Sequence, residues 1–380
     1  MFIIKKADVL VIGLGAHGSS TVYNLAKNGM SVIGFDMYNP PHTMGSSHGK
    51  ARIIRKSYSE GSHFVPLLNR SYELFFELQN QTNLEIIQII GGLMIAKKGA
   101  NSLEGIKHSS EVHNCEIEIL TSNDIKSRWE IFNPEEEMEG VLDLMGGAVF
   151  PENVINTNLN FSKEYGAELH FNTKISKWIS DDNYVTLKTE TGDTYYGDKL
   201  IICSGAWLPN LLKDINLPLF IERQILFWFD PINNAEKFLP QNSPNHSWEY
   251  EDGKMIYIQP NFGDGIKAAI HHDGYEVDPD KLDRNKINLN EEKKLRTIMK
   301  SYIPDLDVDS VRSAVCMYTN TPDREFIIDF HPEYKNVLIL SPCSGHGFKF
   351  SPVIGEIAFN LINNGKSKFS INSFTIERLL

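Results

Sequence analysis

Three glycines near the N-terminus have the spacing of a phosphate-binding turn. Gly13, Gly15 and Gly18 form G-x-G-x-x-G directly after the apolar run Val9–Ile12. In such a motif the first glycine permits a sharp turn, the second lets backbone approach a pyrophosphate, and the third lets a helix pack closely. Free N–H groups at the start of that helix attract anions. Asp36, which ends the next apolar run, can accept the hydroxyl groups of an adenosine ribose. This order predicts a dinucleotide-binding site.

Two arginines follow this predicted site at a spacing of three residues. The polar, Pro- and Gly-rich stretch Asn39–Gly49 has too few apolar residues for a core element, and we predict a loop that crosses the ligand. In the adjoining segment Lys50–Arg55, a helical turn would place Arg52 and Arg55 on one face. The pair can receive an anion, but a solvated basic turn explains the same residues equally well.

The overall charge restricts the classes of partner. The chain has 380 residues and a formal net charge of -12, which disfavours broad contact with nucleic acid or an anionic membrane surface. An anionic substrate must therefore meet a local group of cations. No apolar run approaches the roughly 20 residues of a membrane span, and the residues before the first strand are too few for a signal peptide. We expect a cytoplasmic protein.

Hydrophobic periodicity predicts the elements that position these residues. The strand that begins at Lys199 ends in a glycine turn at Gly205 and should join the first strand in a parallel sheet. Between the two ends of the chain, paired strands such as Met255–Pro260 and Ile266–His271 have an antiparallel pattern. The predicted helices are Ala16–Lys27, His63–Leu78, Asn101–Asn114, Ser122–Trp129, Asn156–Tyr165, Leu289–Tyr302 and Pro352–Ile362.

These elements predict a mixed α/β fold with two domains. A Rossmann-like cofactor domain would be discontinuous and comprise residues 1–80, 145–215 and 310–380. A second domain with an antiparallel sheet, for the substrate, would comprise residues 81–144 and 216–309. Ligands would bind between the two domains.

Several separated motifs carry a resemblance to a known family. The chain resembles the monomeric sarcosine oxidase family of flavin-dependent amine oxidases, which includes N-methyltryptophan oxidase, over essentially its full length. The matching stretches are Pro40-Pro41-His42, Gly45-Ser46, His48-Gly49, Arg52–Arg55, Ala314–Thr319, Thr321-Pro322-Asp323, Phe326–Asp329 and Ser344–Phe350.

The resemblance implies FAD that is bound covalently through a cysteine. Cys316 matches the residue that forms a thioether to the flavin 8α-methyl carbon, and a thiolate is the attacking form of such a residue. On the residues alone, Cys115, Cys203, Cys316 and Cys343 are too far apart for a zinc site or a disulfide framework, and each would be a packing residue. Only the family match changes this interpretation, and only for Cys316. No metal is expected.

The resemblance also implies roles for several polar residues. Arg55 and Lys349 match the pair that holds the substrate carboxylate, a task suited to charge-assisted hydrogen bonds. Lys267 matches a lysine near flavin N5 that activates oxygen. The remaining matches are Arg52 against the flavin, Tyr257, His271 and His346 in the active site, and Gly13, Gly15, Gly18, Asp36, Gly45, Ser46, Gly205, Gly345, Gly347, Phe348 and Lys349 around the cofactor.

The implied reaction is the oxidation of N-methyl amino acids such as sarcosine or N-methyl-L-tryptophan by molecular oxygen. Its products would be the primary amino acid, formaldehyde and hydrogen peroxide, and the enzyme would be a monomer. The alternatives are a deglycating fructosyl-amino-acid oxidase, a nicotinamide dehydrogenase and a flavin-binding protein without turnover. The chain departs from the family at Lys50-Ala51, where Asp-Thr is common, and in a shorter turn before Lys267. Both departures concern the substrate pocket.

Overall fold

A largely parallel sheet contains the first strand of the chain. The computed structural model describes residues 5–181 and 183–380. In this first sheet the strands follow the order Ile175–Ser180, Val185–Thr189, Thr194–Ile202, Lys5–Ile12, Val32–Phe35 and Glu168–His170, and Val337–Ser341 pairs with Thr194–Ile202 and with Ile327–Phe330. The strands Lys5–Ile12, Val32–Phe35, Glu168–His170, Thr194–Ile202 and Val337–Ser341 run parallel to one another.

Both faces of this sheet are covered, as the continuous apolar run at the first strand predicts. Val9 and Val11 pack on one face against the helices Ala16–Lys27 and Ser351–Asn364, whereas Leu10 faces a separate cluster on the other side. Because parallel strands end at the same edge, the turns that follow them are brought together there. This edge carries Gly13, Asp36, Cys203 and Pro342, each directly after the end of a parallel strand.

The second sheet is almost entirely antiparallel. Its order is Ser310–Asn320, Phe220–Phe229, Ile266–Ile270, Lys254–Gln259, Asn245–Glu251, Gly92–Lys97, Met138–Asp143 and Ile117–Thr121. Only the contact between Asn245–Glu251 and Gly92–Lys97 is parallel among the described pairs of this sheet. The helix Leu289–Tyr302 packs on this sheet through Leu295 and Met299.

A small third sheet corrects one prediction. Arg52–Ile54 is a strand that pairs with Gly147–Val149, which also pairs with Ile87–Ile89. The predicted helical turn that would place Arg52 and Arg55 on one face is therefore wrong. Consecutive β-branched isoleucines favour a pleated strand over a helix.

Seven of the described helices overlap the predicted ones, but Pro151–Glu164 begins before the predicted start at Asn156, and the short helix Leu208–Leu211 is not among the predictions. The described helices are Ala16–Lys27, Val65–Asn80, Asn101–His113, Ser122–Arg128, Pro151–Glu164, Leu208–Leu211, Leu289–Tyr302 and Ser351–Asn364, with 3-10 turns at Ser62–Phe64, Gly205–Trp207, Ala235–Phe238, Pro304–Leu306, Phe348–Phe350, Asn372–Phe374 and Ile376–Leu379. Within residues 5–181 and 183–380, none of these helices has the length and apolar character needed to cross a bilayer.

The mixed α/β fold is confirmed, but one strand lies on the other side of a predicted boundary. The predicted cofactor domain includes residues 310–380, whereas Ser310–Asn320 pairs along its whole length with Phe220–Phe229 in the second sheet. We therefore propose to divide the domains near residue 321 instead of 310. The strand Asn245–Glu251 was not predicted because its polar residues hide the pattern, although His246 and Trp248 are buried.

Candidate active site

A cavity of about 600 Å³ lies where the first and second sheets meet. Its walls come from the carboxyl edge of the first sheet, where open α/β folds bind ligands, and from strands of the second. Of the predicted site residues, Gly18 alone lies outside the lining. Those that line the cavity are Gly13, Gly15, Asp36, Gly45, Ser46, Arg52, Arg55, Gly205, Tyr257, Lys267, His271, Cys316, Gly345, His346, Gly347, Phe348 and Lys349.

The three glycines of the N-terminal motif have different surroundings. A Cβ on Gly18 would lie 1.7 Å from the carbonyl oxygen of Gly13, and a Cβ on Gly13 would lie 2.4 Å from the carbonyl oxygen of Cys203. These two glycines therefore permit close packing of backbone. Gly15 is open instead, since the nearest atom to its Cβ position is Ser47 Oγ at 3.8 Å. The helix that starts at Ala16 has no side-chain cap and no acidic residue in its first turn, which leaves N–H groups for an anion.

Asp36 lies beside this turn at the end of the second parallel strand. Its carboxylate accepts the backbone N–H of Leu14 at 2.8 Å and that of Tyr38 at 2.9 Å, and it lines the cavity. Each carboxylate oxygen has more than one acceptor position, so oxygen lone pairs are left for ligand hydroxyl groups. After the strand Thr194–Ile202, on the other side of the first strand, Gly205 has a φ of +53° and leaves open space at its Cβ position.

Cys316 lies at the second sheet's side of the cavity. The side chain is buried, and its Sγ is 3.8 Å from the carbonyl oxygen of Ser46. Burial raises the pKa of the Cys316 thiol, while the positive charge of Arg52 opposes this shift. The guanidinium of Arg52 is fixed by donating to the carbonyl oxygens of Ser46 and Ala51, both at 2.9 Å. A ligand bound against this wall would meet the Cys316 sulfur beside the fixed positive charge of Arg52.

Lys267 is an almost fully buried lysine, with an exposed fraction of 3%. Its Nζ donates to the carbonyl oxygen of Gly49 at 3.1 Å and also to that of Ala51. Burial first, and then the positive charge of Arg52, lower the pKa of Lys267 well below its usual value. Ala51 belongs to the Lys50-Ala51 departure from the family pattern. Its carbonyl oxygen accepts hydrogen bonds from both Arg52 and Lys267.

Arg55 is paired with a glutamate that the sequence did not single out. Its Nη2 donates to Oε1 and Oε2 of Glu60, both at 2.7 Å, and its guanidinium lies 5.0 Å from the ring centre of Tyr58. Burial opposes the charge of Arg55, but the Glu60 carboxylate raises the pKa of this arginine above its usual value. Burial likewise opposes the charge of Glu60, while Arg55 holds the pKa of its carboxyl below the usual range. An incoming carboxylate has to compete with Glu60 for Arg55.

Tyr58, which the sequence did not indicate as a site residue, links Lys349 to His346. Lys349 Nζ donates to the hydroxyl of Tyr58 at 3.2 Å and to the carbonyl oxygen of His346 at 2.8 Å. His346 Nε2 lies 3.2 Å from the carbonyl oxygen of Arg324, so this nitrogen carries the hydrogen, and Nδ1 accepts from the Tyr58 hydroxyl at 2.7 Å. Burial lowers the pKa of His346 to about 4 and, with a contribution from Arg55, that of Lys349 to about 7.

The remaining predicted residues form one wall of the cavity. His271 Nδ1 is 3.3 Å from the hydroxyl of Tyr318, and burial raises the pKa of Tyr257 to about 12. Gly345 packs against this wall, since its Cβ would lie 2.9 Å from Tyr318 and 3.1 Å from His271. Gly347 is equally restricted, because its Cβ would lie 1.6 Å from the carbonyl oxygen of Pro342.

Other residues of this loop region complete the lining. Phe348 begins the turn Phe348–Phe350 that carries Lys349 into the cavity, and a Cβ on Gly45 would only touch His42, at 3.4 Å.

The family of the chain follows from comparison with known proteins. Residues 8–361 match the model of the DAO family, described as FAD dependent oxidoreductase, and the chain belongs to this family. It is 36% identical over 376 residues to the monomeric sarcosine oxidase of Streptomyces avermitilis, covering 98% of this chain and 97% of that protein. It is 30% identical over 375 residues to an N-methyl-L-tryptophan oxidase of Escherichia coli, covering 98% and 99%. The predicted resemblance is confirmed.

Solved structures agree on the fold. NikD, an unusual amino acid oxidase essential for nikkomycin biosynthesis, superposes with a TM-score of 0.85 at 19% identity, covering 98% of this chain and 97% of that one. Amadoriase I of Aspergillus fumigatus, a fructosyl amine:oxygen oxidoreductase, superposes with a TM-score of 0.81 at 18% identity, covering 99% and 90%.

The lining of the cavity fits the FAD on which this family depends. Gly15 is open and the adjacent helix start lacks a cap, as a pyrophosphate site requires. Buried polar atoms without a partner among the described residues also belong to residues that line the cavity: Ser204 Oγ and the side-chain oxygen and nitrogen of Gln259. Such orphaned groups cost stability unless a ligand or water satisfies them. The chain belongs to the FAD-dependent oxidoreductases, and the lining of this cavity fits that cofactor.

Proposed function

We propose that the chain is an FAD-dependent oxidase of N-methyl amino acids such as sarcosine or N-methyl-L-tryptophan. The products are the primary amino acid, formaldehyde and hydrogen peroxide, and the enzyme acts as a monomer. One observation carries this proposal: Arg55 and Lys349 face the same cavity as Lys267 and Cys316. The residues proposed to bind the carboxylate, to activate oxygen and to link the cofactor would thus surround one cavity.

Each residue has a separate task in this proposal. A bound FAD would supply the redox chemistry, by which two electrons and a proton leave the N-methyl C–H bond and, with a second proton, reduce oxygen to hydrogen peroxide. Arg55 and Lys349 bind the carboxylate and so orient the amine, which lowers the entropy cost of reaction. Lys267 supplies positive charge where oxygen is reduced, and Arg52 holds charge beside the cofactor. His271, His346 and Tyr257 shape the amine end of the cavity.

Covalent attachment through Cys316 is the first prediction. After acid precipitation, the yellow colour of the parent protein should stay in the pellet, because the 8α-S-cysteinyl bond survives unfolding. Cys316→Ala should release the colour into the supernatant, while the turn at Gly13–Gly18 still binds FAD. Cys343→Ala is the matched control, since Cys343 also lines the cavity and should leave attachment intact. Colour wholly in the supernatant for the parent would contradict the link.

The pH dependence of carboxylate binding is the second prediction. The free protein has a Lys349 pKa of about 7, and a bound carboxylate favours its charged form. The affinity for an acetate derivative without an amine should therefore be highest below this pKa. The dissociation constant should rise as the pH increases through it, by up to about tenfold per pH unit. Lys349→Gln should abolish this dependence, and a flat profile in the parent would contradict it.

A peroxide assay across a panel of amino acids tests the function itself. The panel contains sarcosine, N-methyl-L-tryptophan, other N-alkyl amino acids, unmethylated parents and fructosyl amino acids. We expect peroxide and formaldehyde in equal amounts with at least one N-methyl compound. Peroxide with fructosyl amino acids alone would favour the deglycating alternative. The likeness to amadoriase I is evidence for a shared fold and not for that activity.

A further inference from the structure

A buried carboxylate lies directly behind the wall formed by His271 and Tyr318. Glu222, near the start of the strand Phe220–Phe229, has an exposed fraction of 7%. Its Oε1 accepts from Gln224 Nε2 at 2.7 Å and from the backbone N–H of Gly274 at 3.0 Å. A buried carboxylate is costly unless it is fully hydrogen-bonded.

The second oxygen of Glu222 completes this set of partners. Oε2 accepts from Asn320 Nδ2 at 2.9 Å and lies 3.0 Å from His272 Nδ1. Because an ionised carboxylate only accepts, Nδ1 of His272 must carry the hydrogen. The environment favours the ionised form: burial opposes it, but His272 and the other donors lower the pKa of Glu222 below its usual value.

The backbone around His272 is fixed as tightly as its side chain. His272 has a φ of +53°, a left-handed conformation that is uncommon outside glycine. The segment that follows is bonded to the strand Phe220–Phe229: Arg223 N–H donates to Tyr275 O at 2.9 Å, and Val277 N–H donates to Ile221 O at 2.8 Å. A Cβ on Gly274 would lie 1.7 Å from the carbonyl oxygen of Arg223.

His272 in turn packs on the residues that face the cavity. Its ring centre lies 4.1 Å from that of His271 and 5.1 Å from that of Tyr318. His271 and Tyr318 line the cavity and contact each other at 3.3 Å. Any movement of the His272 ring would therefore change the position of His271, whereas neither Glu222 nor His272 is among the lining residues.

We propose that Glu222 and His272 form a positioning pair that fixes His271 and Tyr318 against the amine of the substrate. This inference rests on the proposed oxidation of an N-methyl amino acid. Glu222 holds the His272 ring in one orientation and tautomer, and that ring supports His271. The pair acts only on amine oxidation, because Lys267 and the carboxylate-binding residues are held by other contacts.

Charge complements this packing. Burial first, and then the neighbouring His272, lower the pKa of His271 well below its usual value. A neutral His271 does not repel the ammonium group of an arriving amino acid. This matters because the same cavity already contains Arg52, Arg55, Lys267 and Lys349.

Two conservative variants test the pair. Glu222→Gln keeps the shape of the side chain but removes its negative charge. The new amide N–H₂ group then faces one of the donors that bond to Glu222, so that this hydrogen bond is lost. His272→Asn keeps a donor near Nδ1 and tolerates a positive φ, but it removes the ring that supports His271. For each, we expect the anaerobic rate of reduction by the N-methyl substrate to fall about ten- to hundredfold. In the double variant the rate of reduction should fall no further than in either single variant, because each substitution already disrupts the Glu222–His272 pair.

Three further measurements separate positioning from general damage. Reoxidation by oxygen, the dissociation constant of an acetate derivative and the flavin content should match the parent. In protein labelled with nitrogen-15 in histidine, the His272 signals should show hydrogen on Nδ1 in the parent, and their chemical shifts should change in Glu222→Gln, where Nδ1 no longer faces a carboxylate. His331→Asn is the control, since His331 is a buried histidine that lies 3.1 Å from Asp214 and is not among the residues that line the cavity.

Unchanged reduction in both variants, or an equal loss in reduction and reoxidation, would overturn the proposal. Additive losses in the double variant would also overturn it. If the parent is reduced by no N-methyl amino acid, the proposed function fails instead. The histidine signature then still decides whether the Glu222–His272 pair exists.

Discussion

Lys267→Met is expected to slow the reaction of the reduced enzyme with oxygen about a thousandfold, which corresponds to a barrier increase of about 4 kcal/mol. Electron transfer to oxygen creates negative charge in the cavity, and a fixed cation in a site that excludes bulk water lowers that barrier. Lys267 is suited to this task because it is buried and its Nζ is held by the carbonyl oxygens of Gly49 and Ala51. Reduction by substrate, measured anaerobically by stopped flow, should change far less.

The sign of the pH effect gives a second check on Lys267. Since burial lowers its pKa well below the usual value, the positive charge is present at low pH and is lost as the pH rises through that lowered pKa. Reoxidation by oxygen should therefore slow with increasing pH in the parent. In Lys267→Met the rate should be slow at every pH.

Lys254→Met is the matched control for this variant. Lys254 begins the neighbouring strand Lys254–Gln259, but it is exposed and pairs with Glu251. It should leave both half-reactions unchanged. If Lys267→Met also changes neither half-reaction, Lys267 has no role in oxygen reduction. An equal loss in both would indicate collapse of the pocket, and the assignment would be withdrawn.

Arg55→Ala and Lys349→Ala are each expected to weaken the binding of a carboxylate ligand about 30- to 1000-fold, or about 2–4 kcal/mol. Lys349→Ala removes one charged donor from the cavity. Arg55→Ala has two effects, because it also leaves the Glu60 carboxylate without the partner that it meets at 2.7 Å. The unpaired Glu60 would then repel the ligand.

A third and a fourth variant separate these two effects. Glu60→Gln should tighten ligand binding, because the ligand no longer competes with a carboxylate for Arg55. The Arg55→Ala/Glu60→Gln double variant should bind more tightly than Arg55→Ala alone. Ligand-induced changes in flavin absorbance measure all of these dissociation constants.

Arg128→Ala serves as the control for the arginine variant. Arg128 is paired with Glu118 at 2.5 Å and lies over the ring of Trp129 at 4.8 Å, so it resembles Arg55 in its contacts. It lies outside the residues that line the cavity. If Arg55→Ala and Lys349→Ala bind the ligand as tightly as Arg128→Ala and the parent, the carboxylate assignment is wrong.

Local patterns predicted much of the fold. The strand Lys5–Ile12, the three glycines and the helix Ala16–Lys27 follow from an apolar run, special backbone positions and helical periodicity, all within one short segment. The family resemblance then indicated Cys316 and Lys349, far along the chain, as residues of the same cavity. Their placement in its lining agrees with that prediction, whereas their chemical roles remain predictions.

Other residues of the site could not be predicted because their significance depends on long-range contacts. Tyr58 is an ordinary aromatic in sequence, and only folding brings it against Lys349 and His346. Glu222 and His272 likewise have no motif between them. The helical turn predicted at Arg52 is wrong because the β-branched residues between the two arginines favour a strand.

Anaerobic mixing of the purified yellow protein with N-methyl amino acids tests the central claim most directly. The account predicts that sarcosine or N-methyl-L-tryptophan bleaches the flavin absorbance without oxygen. Admission of oxygen should then restore the colour and give hydrogen peroxide and formaldehyde in equal amounts. Flavin that stays yellow with every N-methyl amino acid, in protein that binds a carboxylate ligand normally, would contradict it.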